Sequence, residues 1–209
     1  AGKPAPASQS APRTVNQVTR SFGTRQTLGF GDRRFELIPV GGETPDTTLV
    51  WIPEERALLA ADDFYSEFPN LSTLRGSKPR WALEYVRAMD EALALGPELL
   101  LPGHGEPVIG AHAVTAALTR YRDAILYVHA AVVSGLNQGR DVHSLMREIG
   151  LPEALRLGEG YGRVSWAVRG IYESYAGWFD GRTASMYSEP ASSVYPELTA
   201  LAGGSDRLA

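Results

Sequence analysis

The chain has 209 residues, 44% hydrophobic and 21% charged, with a formal net charge of −4 and no cysteine. At typical domain sizes of about 100–150 residues, that is one sizeable core, or one domain with part of another. No apolar run reaches the roughly 20 residues that cross a bilayer, so no membrane span is expected. The negative balance argues against a nucleic-acid partner. Without thiolates, any metal would have to be held by His, Asp or Glu.

Residues 1–13, AGKPAPASQSAPR, are rich in Pro, Ala and Ser and read as a linker. A β pattern follows. RFELIPV (34–40) is strand-like, and TTLVWI (47–52) turns through PEER into ALLAAD (57–62), which predicts a hairpin. Behind Pro79, Trp81, Tyr85, Met89 and Ala92 recur at helical spacing, and Gly96-Pro97 ends that helix. ELLL (98–101) then reads as a short buried strand. Strand, helix and strand predict a layered α/β unit.

After Gly110 the pattern becomes helical. Val114, Leu118, Tyr121, Ile125, Val128 and Val132 step by 4 and 3 along one long amphipathic helix that stops near Asn137-Gln138-Gly139. A shorter helix is expected over about 141–149, and the same step returns in Val164, Val168, Ile171, Tyr175 and Trp178. This is a helical module of bundle type. The domain boundary is placed near residue 110, dividing 14–110 from 111–209. The chain closes in LTALAGGSDRLA, a helix broken at Gly-Gly.

Four histidines are available. His112, His129 and His143 fall inside predicted helices without the i,i+4 or HxH spacing that aims two imidazoles at one ion, and they read as surface or core-edge residues. His104 differs. In LLLPGHGEPVIG it follows a buried strand on a Gly-flanked loop, outside the carboxyl end of a strand, where α/β sheets build their sites. Glu43 in GGETPDTTL and Asp62-Asp63 in LLAADDF also stand at strand ends. An imidazole with hard carboxylate oxygens suits zinc, manganese or iron. The same acids could equally solvate turns or cap a helix. On the next loop, FPNLSTLRG, Asn70 and Arg75 precede a helix, and a guanidinium fork matches sulfate, phosphate or carboxylate oxygens.

Taken in order, GGETPDTTLVWIPEERALLAADDFYSEFPNLSTLRG, LLLPGHGEPV, YRDAILYVH and YGRVSWAVRGIYESYAGWFDG resemble the alkylsulfatase branch of the metallo-β-lactamase superfamily, over residues 34–205. The resemblance implies an α/β fold, the second half of an αββα sandwich, followed by an all-α alkylsulfatase dimerisation domain. It implies two divalent metal ions, usually zinc, that activate a hydroxide for hydrolysis of alkyl sulfate esters, and a homodimer. By resemblance Glu43 is a metal ligand, Asp62 takes the place of the bridging carboxylate and His104 is the last His ligand. Arg75 and Asn70 match the loop that holds the sulfate.

Two departures bear on these expectations. The bridging residue of the long-chain enzymes is usually Glu, whereas Asp62 is followed here by Asp63, so either acid could bridge. The family's HxHxDH signature occurs nowhere in this sequence. Because it lies upstream in the family and the chain opens on a linker, the expectation is a further N-terminal segment that carries it. Two other readings stay open: a hydrolase of a different ester, lactone or phosphoester on the same scaffold, and a chain inactive by itself that serves assembly.

Overall fold

The computed structural model describes residues 17–73 and 80–207. The linker read at 1–13 and Arg75 lie outside the described residues. Six strands form one mixed sheet in chain order: β1 (Gln26–Phe30), β2 (Arg33–Pro39), β3 (Thr48–Ile52), β4 (Ala57–Ala61), β5 (Leu99–Pro102) and β6 (Val108–Ile109). Neighbours are antiparallel except β4 and β5, which run parallel.

The expected hairpin pairs Val50 with Leu59 and Ile52 with Ala57 across a short 3-10 turn at Pro53–Glu55. The β-branched and apolar residues of these strands put Leu49, Trp51, Leu58 and Ala60 into the core. The parallel step from β4 to β5 needs a crossover, which helix α1 (Ala82–Leu95) supplies. Two strands escape the sequence reading. β1 is an edge strand with little of its surface buried, and its only apolar residues, Leu28 and Phe30, are too few to signal a strand; β6 is only two residues long.

The long stripe after Gly110 becomes α2 (Ala111–Asn137), whose Val114, Leu118, Tyr121, Ile125, Val128 and Val132 are all buried. Helix α3 (Val142–Glu148) starts at Asp141, whose carboxylate accepts the backbone N–H groups of His143 and Ser144. It packs on α4 (Val164–Ala176), which itself packs on α2; α5 (Tyr195–Leu201) follows. One hydrophobic core runs without interruption from Ile38 of β2 through α1 and α2 to Ile171 of α4.

The helical stripes overreach at three residues. Trp81 precedes the first turn of α1 as its N-cap and is half exposed, whereas Tyr85, Met89 and Ala92 are buried. Tyr175 stands in the last turn of α4 and Trp178 beyond its end; both are exposed. Periodicity continues past the point where the helix still has a neighbour to bury against. Among the described residues no helix is long and apolar enough to cross a membrane.

Candidate metal and anion site

The carboxyl ends of β4 and β5 set the site. Because these strands are parallel neighbours, the residues that follow them leave the sheet at the same edge. A register shift lies between Leu59 and Ala61, and Ala61 takes a left-handed backbone, φ 48°. A bulge with a strained backbone re-aims the side chain beside it. Here the side chain is Asp62. Its Oδ1 lies 3.5 Å from Nε2 of His104, and both side chains reach solvent.

Gly103 makes that approach possible. Its N–H donates to the carbonyl of Ala61 at 2.6 Å, and a Cβ on it would stand 2.0 Å from Asp62 Oδ1. Any side chain there would push the pair apart. The ring of Tyr161, from the loop before α4, lies with its centroid 6.1 Å from that of His104 and packs edge-on against Tyr65 at 4.7 Å. The helical part of the chain therefore contributes a wall beside the imidazole.

Asp63 faces the opposite way. It is fully buried, its Oδ1 accepts the backbone N–H of Glu43 at 2.8 Å, and its Oδ2 has no hydrogen bond among the described residues. Burial is the main cause that pushes its carboxyl up to about 7; the N–H of Glu43 acts in the opposite direction, and the nearby Glu43, Asp62 and Glu84 add to the rise. Gly42, at φ +115°, leaves the space: a Cβ there would meet Asp63 Oδ1 at 2.4 Å.

The Glu43 loop is a closed turn. Val40 N–H donates to the carbonyl of Thr47, Thr47 N–H to that of Thr44, and Thr44 N–H to Thr47 Oγ1. The Glu43 carboxylate forms an ion pair with Arg80, and both side chains are nearly buried. Arg80 Nη1 also donates to the carbonyl of Asn70 at 3.0 Å, while Asn70 N–H donates to the hydroxyl of Tyr65 at 3.1 Å. The Asn70 side-chain oxygen is buried and has no hydrogen bond among the described residues. The segment from Glu67 to Asn70 is further laced to 158–162, through Phe68 N–H to Gly158 O, Gly162 N–H to Phe68 O and Gly160 N–H to Glu67 Oε2.

The sequence-predicted residues thus fall into two groups. Asp62 and His104 are brought together. Glu43 and Asn70 are brought together through Arg80, a residue to which sequence reasoning assigns no role. Asp63 backs both groups as the support of the Glu43 turn. A carboxylate oxygen and an imidazole nitrogen side by side at a solvent-facing sheet edge suit one side of a divalent ion. Two donors are a partial shell, and among the described residues no group of three or more His, Asp or Glu side chains is placed to hold a metal ion. Sequence reasoning misses Arg80 and Tyr161 because their signal is tertiary: one follows a loop and the other a glycine-rich stretch, with neither at a strand end.

Comparison with known proteins agrees with this architecture. The alkyl sulfatase dimerisation family model matches residues 142–209. A linear primary-alkylsulfatase of Pseudomonas sp. (strain ATCC 19151) is 34% identical over 181 residues, which is 84% of this chain and 34% of that protein. An alkyl/aryl-sulfatase of Saccharomyces cerevisiae is 28% identical over 191 residues, 88% of this chain and 29% of its own. The chain therefore spans about a third of the length of the curated relatives it matches. Among solved structures, a stereoselective inverting sec-alkylsulfatase from Pseudomonas sp. superposes with a TM-score of 0.81 at 25% identity, covering 90% of this chain and 31% of that one. A metallo-beta-lactamase family protein from Thermus thermophilus, 16% identical with a TM-score of 0.52, shares the fold over 77% of this chain and 50% of its own. In sequence over most of its length, in fold, and in the dimerisation segment of its last third, the chain resembles the alkylsulfatases of the metallo-β-lactamase superfamily.

Proposed function

We propose that the chain forms part of a metal-dependent hydrolase of alkyl sulfate esters. The observation that carries this reading is the Asp62–His104 pair, a carboxylate and an imidazole 3.5 Å apart at the ends of adjacent parallel strands. In the proposal these two side chains and Glu43 ligate the metal, with two divalent ions, zinc being the favoured identity, in the complete site. Such ions supply Lewis acidity and lower the pKa of a bound water to about 7. The remaining ligands would come from an HxHxDH segment, since that signature is not in this sequence.

The chain's own residues then do three things. Asp62 and His104 hold the metal edge of the site. Arg75, outside the described residues, and Asn70 orient the sulfate group, with Arg75 neutralising charge that grows on its oxygens. Tyr65 and Tyr161 wall off the space beside His104. The division near residue 110 separates this edge from a helical part that pairs two copies, as a homodimer. Support for the pairing comes from Trp178, Met186, Tyr187, Tyr195 and Leu201, which expose large apolar surface within the segment matched by the dimerisation family.

The test is zinc content and alkyl sulfate hydrolysis, measured for this chain by itself and combined with an HxHxDH-bearing alkylsulfatase segment. Activity in the combined sample, abolished by His104→Ala together with metal, supports the proposal. Hydrolysis of lactones or phosphoesters but not sulfate esters would move the substrate. Inactivity in both samples would overturn the enzymatic reading and leave assembly.

A further inference from the structure

Among the described residues Arg80 is the most deeply placed cation near the site: its side chain is 11% exposed, as is that of its partner Glu43. Its planar guanidinium serves two elements at once. Nη2 pairs with Glu43 Oε1, on the turn after β2, and Nη1 donates to the backbone carbonyl of Asn70, on the loop after β4. Its own N–H reaches back to the carbonyl of Leu71. A charged, nearly buried fork thus joins the Glu43 turn to the Asn70 loop.

Burying a guanidinium and a carboxylate is costly unless the geometry is good and the remaining donors are satisfied. The fork meets that condition because its second arm ends on Asn70. Removing either partner leaves the other charge in a poorly solvated place, so the arrangement behaves as a unit. A lysine could not replace it, because an ammonium is a point charge without two diverging donors in one plane.

We propose that Arg80 is a positioning residue that makes the Glu43 turn and the Asn70 loop one cooperative element, so that the state of the Glu43 carboxylate sets how well the loop binds the sulfate group. This rests on the reading of Glu43 as a metal ligand and Asn70 as an anion contact. Arg80 itself is not placed against the substrate. A change at Glu43, whether a ligand on its oxygens or loss of its charge, reaches Asn70 through the guanidinium.

The experiment is a double-mutant cycle read by binding of inorganic sulfate to the full chain, by calorimetry, in excess chelator so that metal occupancy does not vary. Circular dichroism and thermal melting check each variant. Arg80→Ala is expected to weaken sulfate binding about tenfold, and Glu43→Gln about fivefold in the unaltered background but not in Arg80→Ala. Arg80→Lys, which keeps the charge for Glu43 and loses the arm to Asn70, should fold normally and weaken sulfate as Arg80→Ala does. Additive effects of Glu43→Gln and Arg80→Ala would overturn the coupling while leaving the anion loop intact. Tighter sulfate binding in Glu43→Gln would overturn it too, by making Arg80 a direct contact. Absence of any sulfate binding by the unaltered chain would overturn the anion-loop reading and this inference with it.

Discussion

Asp63 Oδ1 accepts the backbone N–H of Glu43 at 2.8 Å, joining the residues just past β4 to the turn between β2 and β3. One carboxylate thereby sets the height of another above the sheet. Asp63→Asn preserves an acceptor oxygen and removes a buried charge, so the fold should keep its stability or gain slightly. Asp63→Ala leaves the Glu43 N–H without its partner and should cost about 1–3 kcal/mol. Denaturant unfolding of the two variants checks this; equal loss in both would mean that the ionised form, not the acceptor, is what the turn needs.

At Gly42 the backbone, φ +115°, is one that side chains rarely adopt, and the added methyl would also strike Asp63 Oδ1. Gly42→Ala should therefore lose about 1–3 kcal/mol from conformation alone, with more from the clash. Gly103→Ala tests a different point. Its methyl would strike Asp62 Oδ1 and lie 2.9 Å from the Ala61 carbonyl oxygen, so it should separate Asp62 from His104 and lower zinc uptake more than it lowers melting temperature. Zinc titration beside thermal melting distinguishes the two glycines.

His129 supplies a pH-dependent term away from the site. Its Nε2 lies 2.7 Å from the hydroxyl of Tyr175 in a small cleft also lined by Glu84 and Arg87, and burial lowers its pKa from the usual 6.5. A histidine whose folded pKa is depressed favours the neutral form in the fold. Its contribution is present above about pH 6.5 and is lost as the pH falls through the lower folded value. Asp63, whose carboxyl is held up at about 7, adds stability over the same window, so the His129 term is read as a difference: on acidification His129→Gln should lose less, or gain more, than the unaltered chain. Melting temperatures of both between about pH 8 and pH 5 decide it; parallel curves would assign the acid sensitivity elsewhere.

Leu118 sits fully buried in α2, within the core that continues from the sheet to α4. Leu118→Ala should cost about 2–5 kcal/mol. Because that core is shared, fluorescence of Trp51 of β3, isolated by replacing Trp81, Trp166 and Trp178 with Phe, and helical circular dichroism should report the same midpoint. Two separated transitions would show that the sheet and the helices melt as independent units.

The residues that could be read from the sequence are those whose role follows from local pattern. Leu49, Leu58 and Leu100 announce buried strands and the 4–3 stripe announces α2, while the position of His104 after a strand between glycines marks it as a candidate that the structure sets beside Asp62. β1 is not legible there, because an exposed edge strand takes its place from pairing with β2 rather than from its own composition. Asp62 and Asp63 cannot be told apart by sequence, since adjacent residues alternate faces and only the bulge at Ala61 decides which one meets His104. Arg80 meets its partners only in three dimensions, and no spacing within the chain encodes a meeting between residues 43, 70 and 80.

The parallel pairing of β4 and β5 separates distance along the chain from distance in space. Asp62 and His104 are neighbours by virtue of two strands, while the described residues between β4 and β5, the Asn70 loop and α1 included, form an excursion away from the sheet. Such an excursion can lengthen, shorten or change its polar groups without moving the two donors at its base. Under the proposed function, the loop that meets the sulfate group could thus vary while the two side chains proposed to hold the ion stay where they are.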